Sequence, residues 1–454
     1  MSGNPRLDRR QFLYGAGAGV AALTVANEAT AQNPPATFEE IRFAGIGVGS
    51  QGGGDVDAVV SEGATLVALC DVDSKYAAKK FEQYPNAKRY KDFRVMLNEL
   101  QNEIDAVVIG TPDHTHAVIA MEAMKHGKHV YCEKPLAHNI HEVRTLMAMA
   151  KKSGVITQLG NQGHSYGTIR QLCEWVWAGA IGDVHTVHCA CDAFKEVYSQ
   201  KRNLDKLKQH YDVPAELDYD LWTGPAQMEA YTPFWVPWNW RGWLHYGTGT
   251  IGDWFCHVVD PSFWALDLDA PTTVKAEVSG WDPAVDGLTY PPSTKITFEF
   301  PANAKRGPIT LVWHDGNDTI PKPDNFPSDE VVPGTGAILH GDKGIIVHGS
   351  HGAGACHILP ESLRDQWTGD KAPKQVIERV KGHHWDWLEA IRTGRPAGSN
   401  FGYGGRLTQV ALIGAIAIRF PGETLHWDNK AVKFTNHKGA NAYIKPAYRA
   451  GWAL

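Results

Sequence analysis

From Ile41 to Leu159 the chain alternates short apolar runs with helical ones. The runs "IRFAGIG", "TLVALCD", "DAVVIGT", "KHVYCEKP" and "GVITQLG" are each bounded by turn residues. Apolar side chains at consecutive positions over so short a length predict parallel strands buried on both faces. Between them, "NIHEVRTLMAMAKK" places Ile140, Val143, Met147 and Ala150 at helical spacing behind Asn139. That pattern predicts an amphipathic helix with an asparagine N-cap. Strand alternating with helix predicts a doubly wound sheet.

Farther along, the period changes. In "TVKAEVSG", "STKITFEF" and "PITLVWHD" apolar and polar residues alternate, as in antiparallel strands with one buried face. Val274, Ala276 and Val278 form one such face; Ile296, Phe298 and Phe300 form another. The expected fold class is α/β followed by α+β. A doubly wound parallel sheet occupies residues 38–159, and a domain with an open, mainly antiparallel sheet occupies 160–454. A chain of 454 residues is long enough for both.

The start of the chain reads as an address rather than as fold. Arg9 and Arg10 precede Phe12, Leu13 and a Gly/Ala-rich apolar stretch, and Ala29-Thr30-Ala31 has the form of a cleavage site. R-R-x-F-L resembles a twin-arginine signal over residues 1–31, with Asp8 where Ser or Thr is usual. The rest of the chain lacks 18 consecutive apolar residues, so no membrane span is expected in the mature protein. A net charge of -6 offers no basic footprint for nucleic acid. Seven cysteines in so long a chain do not make a disulfide framework, and Cys189 and Cys191 on one strand face are poorly placed to bridge.

Three motifs carry chemistry. Gly47, Gly49 and Gly52 form G-x-G-x-x-G directly after the first strand, a loop whose backbone N–H groups approach a pyrophosphate at a helix N-terminus. Asp71, closing the second strand, suits the ribose hydroxyls and would repel a 2′-phosphate, which favours NAD over NADP. Glu133-Lys134-Pro135 follows the strand "KHVYC", where ligands of a doubly wound sheet sit, so the Lys134 ammonium is placed to polarise a substrate hydroxyl. In "GTGTIGDWFCHVVDP", Asp253 and His257 are four apart and share one helix face. A carboxylate beside an imidazole suits a general base with a pKa near neutrality.

Together these motifs resemble the glucose-fructose oxidoreductase and inositol dehydrogenase family, Gfo/Idh/MocA. The resemblance extends to "WAGAIGDVHTVH" and "GAILHGDKGIIVHG". It implies a Rossmann domain, an open-faced sheet domain, and Lys134, Asp253 and His257 at the reacting carbon. The cofactor side is expected to comprise Gly47, Gly49, Ser50, Gln51, Gly52, Asp71, Thr111, Pro112, His114, His116, Glu133 and Lys134. Substrate contacts are expected from Gln162 and His164 of "GNQGHSY", where the family more usually carries an arginine, and from Trp240, Arg241, Trp243, Asp253 and His257. The tryptophans of "YTPFWVPWNWRGWLHY" either face a sugar ring or pack their own loop. The histidines and cysteine of "HGSHGAGACH" and the pair His383-His384 match no zinc spacing, so no metal is expected.

An exported dehydrogenase that released NADH would stall. The expectation is therefore tightly bound NAD, a carbohydrate substrate and a homo-oligomer built on the open sheet, as the resemblance implies. Two chemistries fit retained NAD: glycoside hydrolysis through transient oxidation, as in the family's NAD-dependent glycoside hydrolases, and net sugar oxidoreduction. A non-catalytic sugar-binding protein is a third reading, against which Lys134 and His257 argue.

Overall fold

The computed structural model describes residues 40–324 and 326–454. The twin-arginine reading of residues 1–31 lies outside the described residues. The first sheet consists of β1 (Arg42–Ile46), β2 (Thr65–Cys70), β3 (Lys88–Tyr90), β4 (Ala106–Ile109), β5 (His129–Cys132) and β6 (Thr157–Leu159), in the order β3-β2-β1-β4-β5-β6. Every pairing is parallel. The order reverses between β1 and β4, which opens a crevice at their carboxyl ends. All four residues of β4 are buried, as its unbroken apolar run requires. β3 escaped the apolar pattern because it is a short, polar edge strand, Lys-Arg-Tyr.

The helix Ile140–Ser153 begins as its sequence predicts. The Asn139 side chain accepts from the Glu142 N–H at 3.0 Å, and the Glu142 carboxylate accepts from the Asn139 N–H at 3.1 Å. It stops at Gly154, whose φ of 70° is a left-handed cap.

The second sheet has nine strands: β7 (Val184–Cys191), β8 (Thr273–Ser279), β9 (Ser293–Phe300), β10 (Ile309–Asp315), β11 (Thr335–Gly341), β12 (Ile345–Gly349), β13 (His357–Leu359), β14 (Thr424–Asp428) and β15 (Lys433–Phe434). Their order is β13-β12-β11-β7-β10-β9-β8-β14-β15. The β7–β10 pair is parallel and the others are antiparallel. In β9 the residues Ile296, Phe298 and Phe300 are buried while Lys295, Thr297 and Glu299 are half-buried on the other face. Val274 and Ala276 of β8 are buried, and Val278 is half-buried.

The helices Gly249–Val258 and Phe401–Ala417 pack on the buried face. Gly414 allows that approach, since a Cβ there would meet Ile251 at 2.5 Å and the Phe298 ring at 2.7 Å. Between these two helices in the sequence, the chain returns to the first sheet through the helix His383–Thr393. Its Trp387, Leu388 and Ile391 share a core with Ile41, Phe43 and Tyr131. All seven cysteines are free, six of them buried, and Cys189 and Cys191 remain thiols on β7. Among the described residues no helix is long and apolar enough to cross a membrane.

Candidate active site

A cleft opens at the carboxyl ends of β1, β4 and β5, where the glycine loop turns into the helix Gln51–Ser61. Gly47 has φ +76°, and a Cβ there would lie 2.6 Å from the Thr111 backbone. At Gly49 a Cβ would collide with the Tyr76 ring at 2.1 Å. The first turn of the helix has no side-chain cap, so its N–H groups and positive dipole end are open to an anion. The residues present thus fit the pyrophosphate of a dinucleotide. Asp71 follows β2 directly; its Oδ2 accepts from the Val48 N–H at 2.8 Å and its Oδ1 from the Asp73 N–H at 3.0 Å. Burial lifts its carboxyl to about 6 against the pull of those N–H groups. It therefore ties the glycine loop to the second strand while lining the cleft.

At the other end of the cleft, Lys134 from the end of β5 meets the helix Gly249–Val258. The Lys134 ammonium donates to Asp253 Oδ1, and the Tyr198 hydroxyl donates to Asp253 Oδ2. Arg241 Nε lies 3.3 Å from Asp253 Oδ2, and its guanidinium is sandwiched over Trp238 and Trp240 at 4.0 and 4.2 Å from their ring centres. Burial opposes charge on both members of the Lys134–Asp253 pair. Their attraction prevails, holding the carboxyl well below the usual range and the ammonium above its own.

His257 lines the same end, with Nδ1 buried and without a hydrogen-bond partner. Burial, then the neighbouring Lys134 charge, hold its pKa well below the ordinary histidine value, so it is neutral. Asp113 accepts from the Thr248 N–H at 3.1 Å and from its hydroxyl at 2.6 Å. Burial, followed by repulsion from Asp253, pushes its carboxyl up to about 7. Two cations thus face one firmly ionised carboxylate, Asp253, and one whose charge burial disfavours, Asp113. The excess positive charge favours an oxyanion developing in the cleft.

Residues 41–161 match the profile described as "Oxidoreductase family, NAD-binding Rossmann fold", and residues 168–303 match its C-terminal alpha/beta domain. The chain belongs to the Gfo/Idh/MocA family. It is 30% identical over 174 residues to an alpha-N-acetylgalactosaminidase of Shewanella oneidensis, an alignment spanning 32% of this chain and 38% of that protein. The first curated relatives are matched over that same 38% of their length. A "glycosyl hydrolase family 109 protein 2" of a Shewanella species is 24% identical over 88% of this chain and 84% of its own. Among solved structures, the WlbA dehydrogenase of Bordetella pertussis, in complex with NADH and UDP-GlcNAcA, superposes with a TM-score of 0.58 at 16% identity. That match covers 86% of this chain and 99% of the other. At that identity the likeness is one of fold.

In this Gfo/Idh/MocA protein the cleft brings together Gly47, Gly49, Ser50, Gln51, Asp71, Thr111, Pro112, Glu133, Lys134, Gln162, Trp240, Arg241, Asp253 and His257. Five expected contacts lie elsewhere. His114 bonds the Trp222 and Tyr246 carbonyls at 2.9 and 3.3 Å, and His116 bonds those of Thr111 and Pro135, each at 2.8 Å. Both imidazoles brace the loops behind the cleft. Gly52 serves packing: a Cβ there would lie 2.2 Å from the Gly47 carbonyl oxygen. His164 points away, with Nδ1 on Asp260 at 3.0 Å and its ring stacked on Trp264 at 4.4 Å. Trp243 is buried edge-on against Trp235 at 4.7 Å and donates to the Phe234 carbonyl at 2.8 Å, so these two tryptophans pack their own loop.

A further expectation also changes. Asp253 and His257 do share a helix face, but Asp253 bonds Lys134 and Tyr198. The imidazole is left buried and neutral rather than poised near neutrality. Sequence reasoning missed Asp113, Tyr198, Trp254 and His351. Of these, His351 alone lay in a segment already notable for its histidines. Among the described residues no group of three or more His, Cys, Asp or Glu side chains is arranged to hold a metal ion.

Proposed function

We propose that this protein is an exported enzyme that keeps NAD bound and cleaves glycosides by transiently oxidising a ring hydroxyl. The observation that carries the reading is the Lys134–Asp253 pair beside the neutral His257, at the end of the cleft away from the glycine loop. Bound NAD supplies an acceptor for a hydride that is later handed back. Lys134, kept charged by Asp253, donates to the hydroxyl oxygen and stabilises negative charge on it. His257, neutral and open to the cleft, takes the hydroxyl proton. Asp253 is anchored by Tyr198, whose oxygen also accepts from Trp254 Nε1 at 2.8 Å, so the ammonium is held in place. Trp238, half-buried at the cleft with Arg241 stacked on it, offers apolar ring surface to a sugar. The names of the curated relatives favour cleavage over net oxidation.

The test is to incubate the purified protein with a panel of aryl glycosides and free sugars without added cofactor. Release of the aryl alcohol is expected. Accumulation of keto sugar without release would favour net oxidoreduction, and no change in any sugar would overturn both. Export rests on Arg9 and Arg10 and on buried free thiols that need no oxidising compartment. Retention of the protein in the cytoplasm of its host would remove it. The polar face of the second sheet is assigned to a second copy of the chain, an assignment that light scattering of a monomer at micromolar concentration would end.

A further inference from the structure

His164 turns from the cleft into a second hollow. This cavity of about 390 Å³ lies between the helices Gly167–Trp177, Asp260–Ala265 and Phe401–Ala417 and the chain over residues 377–398. Among the described residues none lines both hollows, although Gln162, on the same loop as His164, lines the cleft and donates to Glu133 at 2.7 Å. His164 is 2% exposed, and its Nδ1 lies 3.0 and 3.1 Å from the two Asp260 oxygens. A carboxylate only accepts, so Nδ1 carries the hydrogen and Nε2 of the uncharged ring presents a lone pair. The Tyr403 hydroxyl at 2.5 Å and Asn161 Nδ2 at 3.1 Å fix Asp260 in turn. Among the described residues Nε2 has no partner. Gly398, also on the cavity wall, leaves that edge of the ring open, since a Cβ there would lie 3.8 Å from Nε2.

Arg170 stands beside it. The indole of Trp264 carries the His164 ring at 4.4 Å and the Arg170 guanidinium at 5.4 Å. Arg170, 4% exposed, donates through Nε to the Glu378 carbonyl at 2.6 Å and through Nη1 to those of His164 and Tyr166 at 2.8 and 3.1 Å. Among the described residues Nη2 has no partner and the guanidinium forms no ion pair. Asp386, the carboxylate that acts on it most strongly, is taken up by Arg395 at 2.6 Å and the Gly398 N–H at 2.7 Å. Asp267 is paired with Lys305 at 2.8 Å, Glu378 is exposed, and Arg406 adds a further cation to the wall.

We infer that this cavity binds a small oxyanion that also carries a hydroxyl, either hydrogen phosphate or an α-hydroxy carboxylate. The charged oxygen accepts from Arg170 Nη2, and the hydroxyl donates to His164 Nε2. A buried donor and a buried acceptor side by side ask for that complement, because either one left unmade on binding costs more than a hydrogen bond gains. Sulfate or a plain carboxylate would set its lone pairs against that of Nε2, and a neutral alcohol would leave the cation uncompensated. The site uses none of the chemistry assigned to the cleft and stands whether or not the glycosidase reading does.

The test is calorimetric titration of the full-length, NAD-bound protein at pH 8 with phosphate, sulfate, glycolate and acetate. Phosphate should bind about tenfold or more tighter than sulfate, and glycolate likewise tighter than acetate, as a buried acceptor left unmade requires. Whichever of phosphate and glycolate binds tighter identifies the source of the oxyanion. In His164→Asn, whose amide keeps a donor for Asp260, both preferences should vanish while unfolding stays cooperative. Crystals of the parent protein soaked in the tighter ligand, which need no variant, should show it within hydrogen-bond reach of His164 Nε2 and Arg170 Nη2. No binding at millimolar concentration, equal affinities within both pairs, a preference that survives in a folded His164→Asn protein, or a ligand seated only elsewhere would each overturn the site.

Discussion

The two sheets of this protein use their edges and faces in opposite ways. The parallel sheet is apolar on both faces, so its chemistry is confined to the rim, where Gly47, Thr111 and Lys134 follow β1, β4 and β5. The nine-stranded sheet keeps its main core on one face, with a smaller cluster of Ala190, Ile338 and Val347 under Ile320 and Phe326 on the other, and its contribution comes from a helix laid across the first face, which carries Asp253 and His257. Rim and wall meet in the Lys134–Asp253 ion pair. On the proposed function, a cofactor held by the rim and a substrate held by the wall would be brought to one place without either sheet having to supply both.

The sharpest way to break this arrangement is Lys134→Ala. It removes the cation of the rim and leaves the buried Asp253 to Arg241 and Tyr198. Turnover is expected to fall by about two to four orders of magnitude, while mass spectrometry of the denatured protein still finds NAD. Full turnover in this variant would separate the two sheets functionally. A smaller effect is expected at Gly52→Ala, where the new Cβ meets the rigid Gly47 carbonyl at 2.2 Å. The cost should be about 1–3 kcal/mol in thermal or denaturant unfolding, the range for overpacking, together with reduced NAD content. Gly54→Ala, with nothing within 4 Å of its Cβ, is the control and should gain up to about 1 kcal/mol. Equal behaviour of the two would mean that the loop yields. Least affected should be Thr297→Lys on the polar face of the second sheet. Stability within about 0.5 kcal/mol of the parent is expected, with a drop in mass by light scattering if that face joins two copies.

The same contrast explains what the sequence made legible. Strands buried on both faces announce themselves as unbroken apolar runs, so β1, β2, β4, β5 and β6 were readable and polar β3 was not. Alternation exposed β8, β9 and β10. The glycine loop, Lys134, Asp253 and His257 were readable because each sits within a motif of a few residues. Side-chain direction was not. A helical position reports which residues share a face, not what lies opposite that face, and so His114 and His116 turn from the cleft that their neighbour Asp113 lines. Tyr198 and His351 reach the site across long stretches of chain, and no local pattern records such a meeting.

The helix His383–Thr393 has a consequence for the order of synthesis. Trp387, Leu388 and Ile391 complete the core under Ile41, Phe43 and Tyr131, yet they leave the ribosome after the whole second sheet up to β13 has emerged. Until then Val56, Val59 and Phe81 cover only part of that side of the newborn first sheet, and the rest of its burial waits on a contact of very long sequence separation. A fragment ending near residue 160 would keep that side exposed and aggregate. The core shared by the first sheet and the helix His383–Thr393 is therefore completed only when most of the polypeptide is already made.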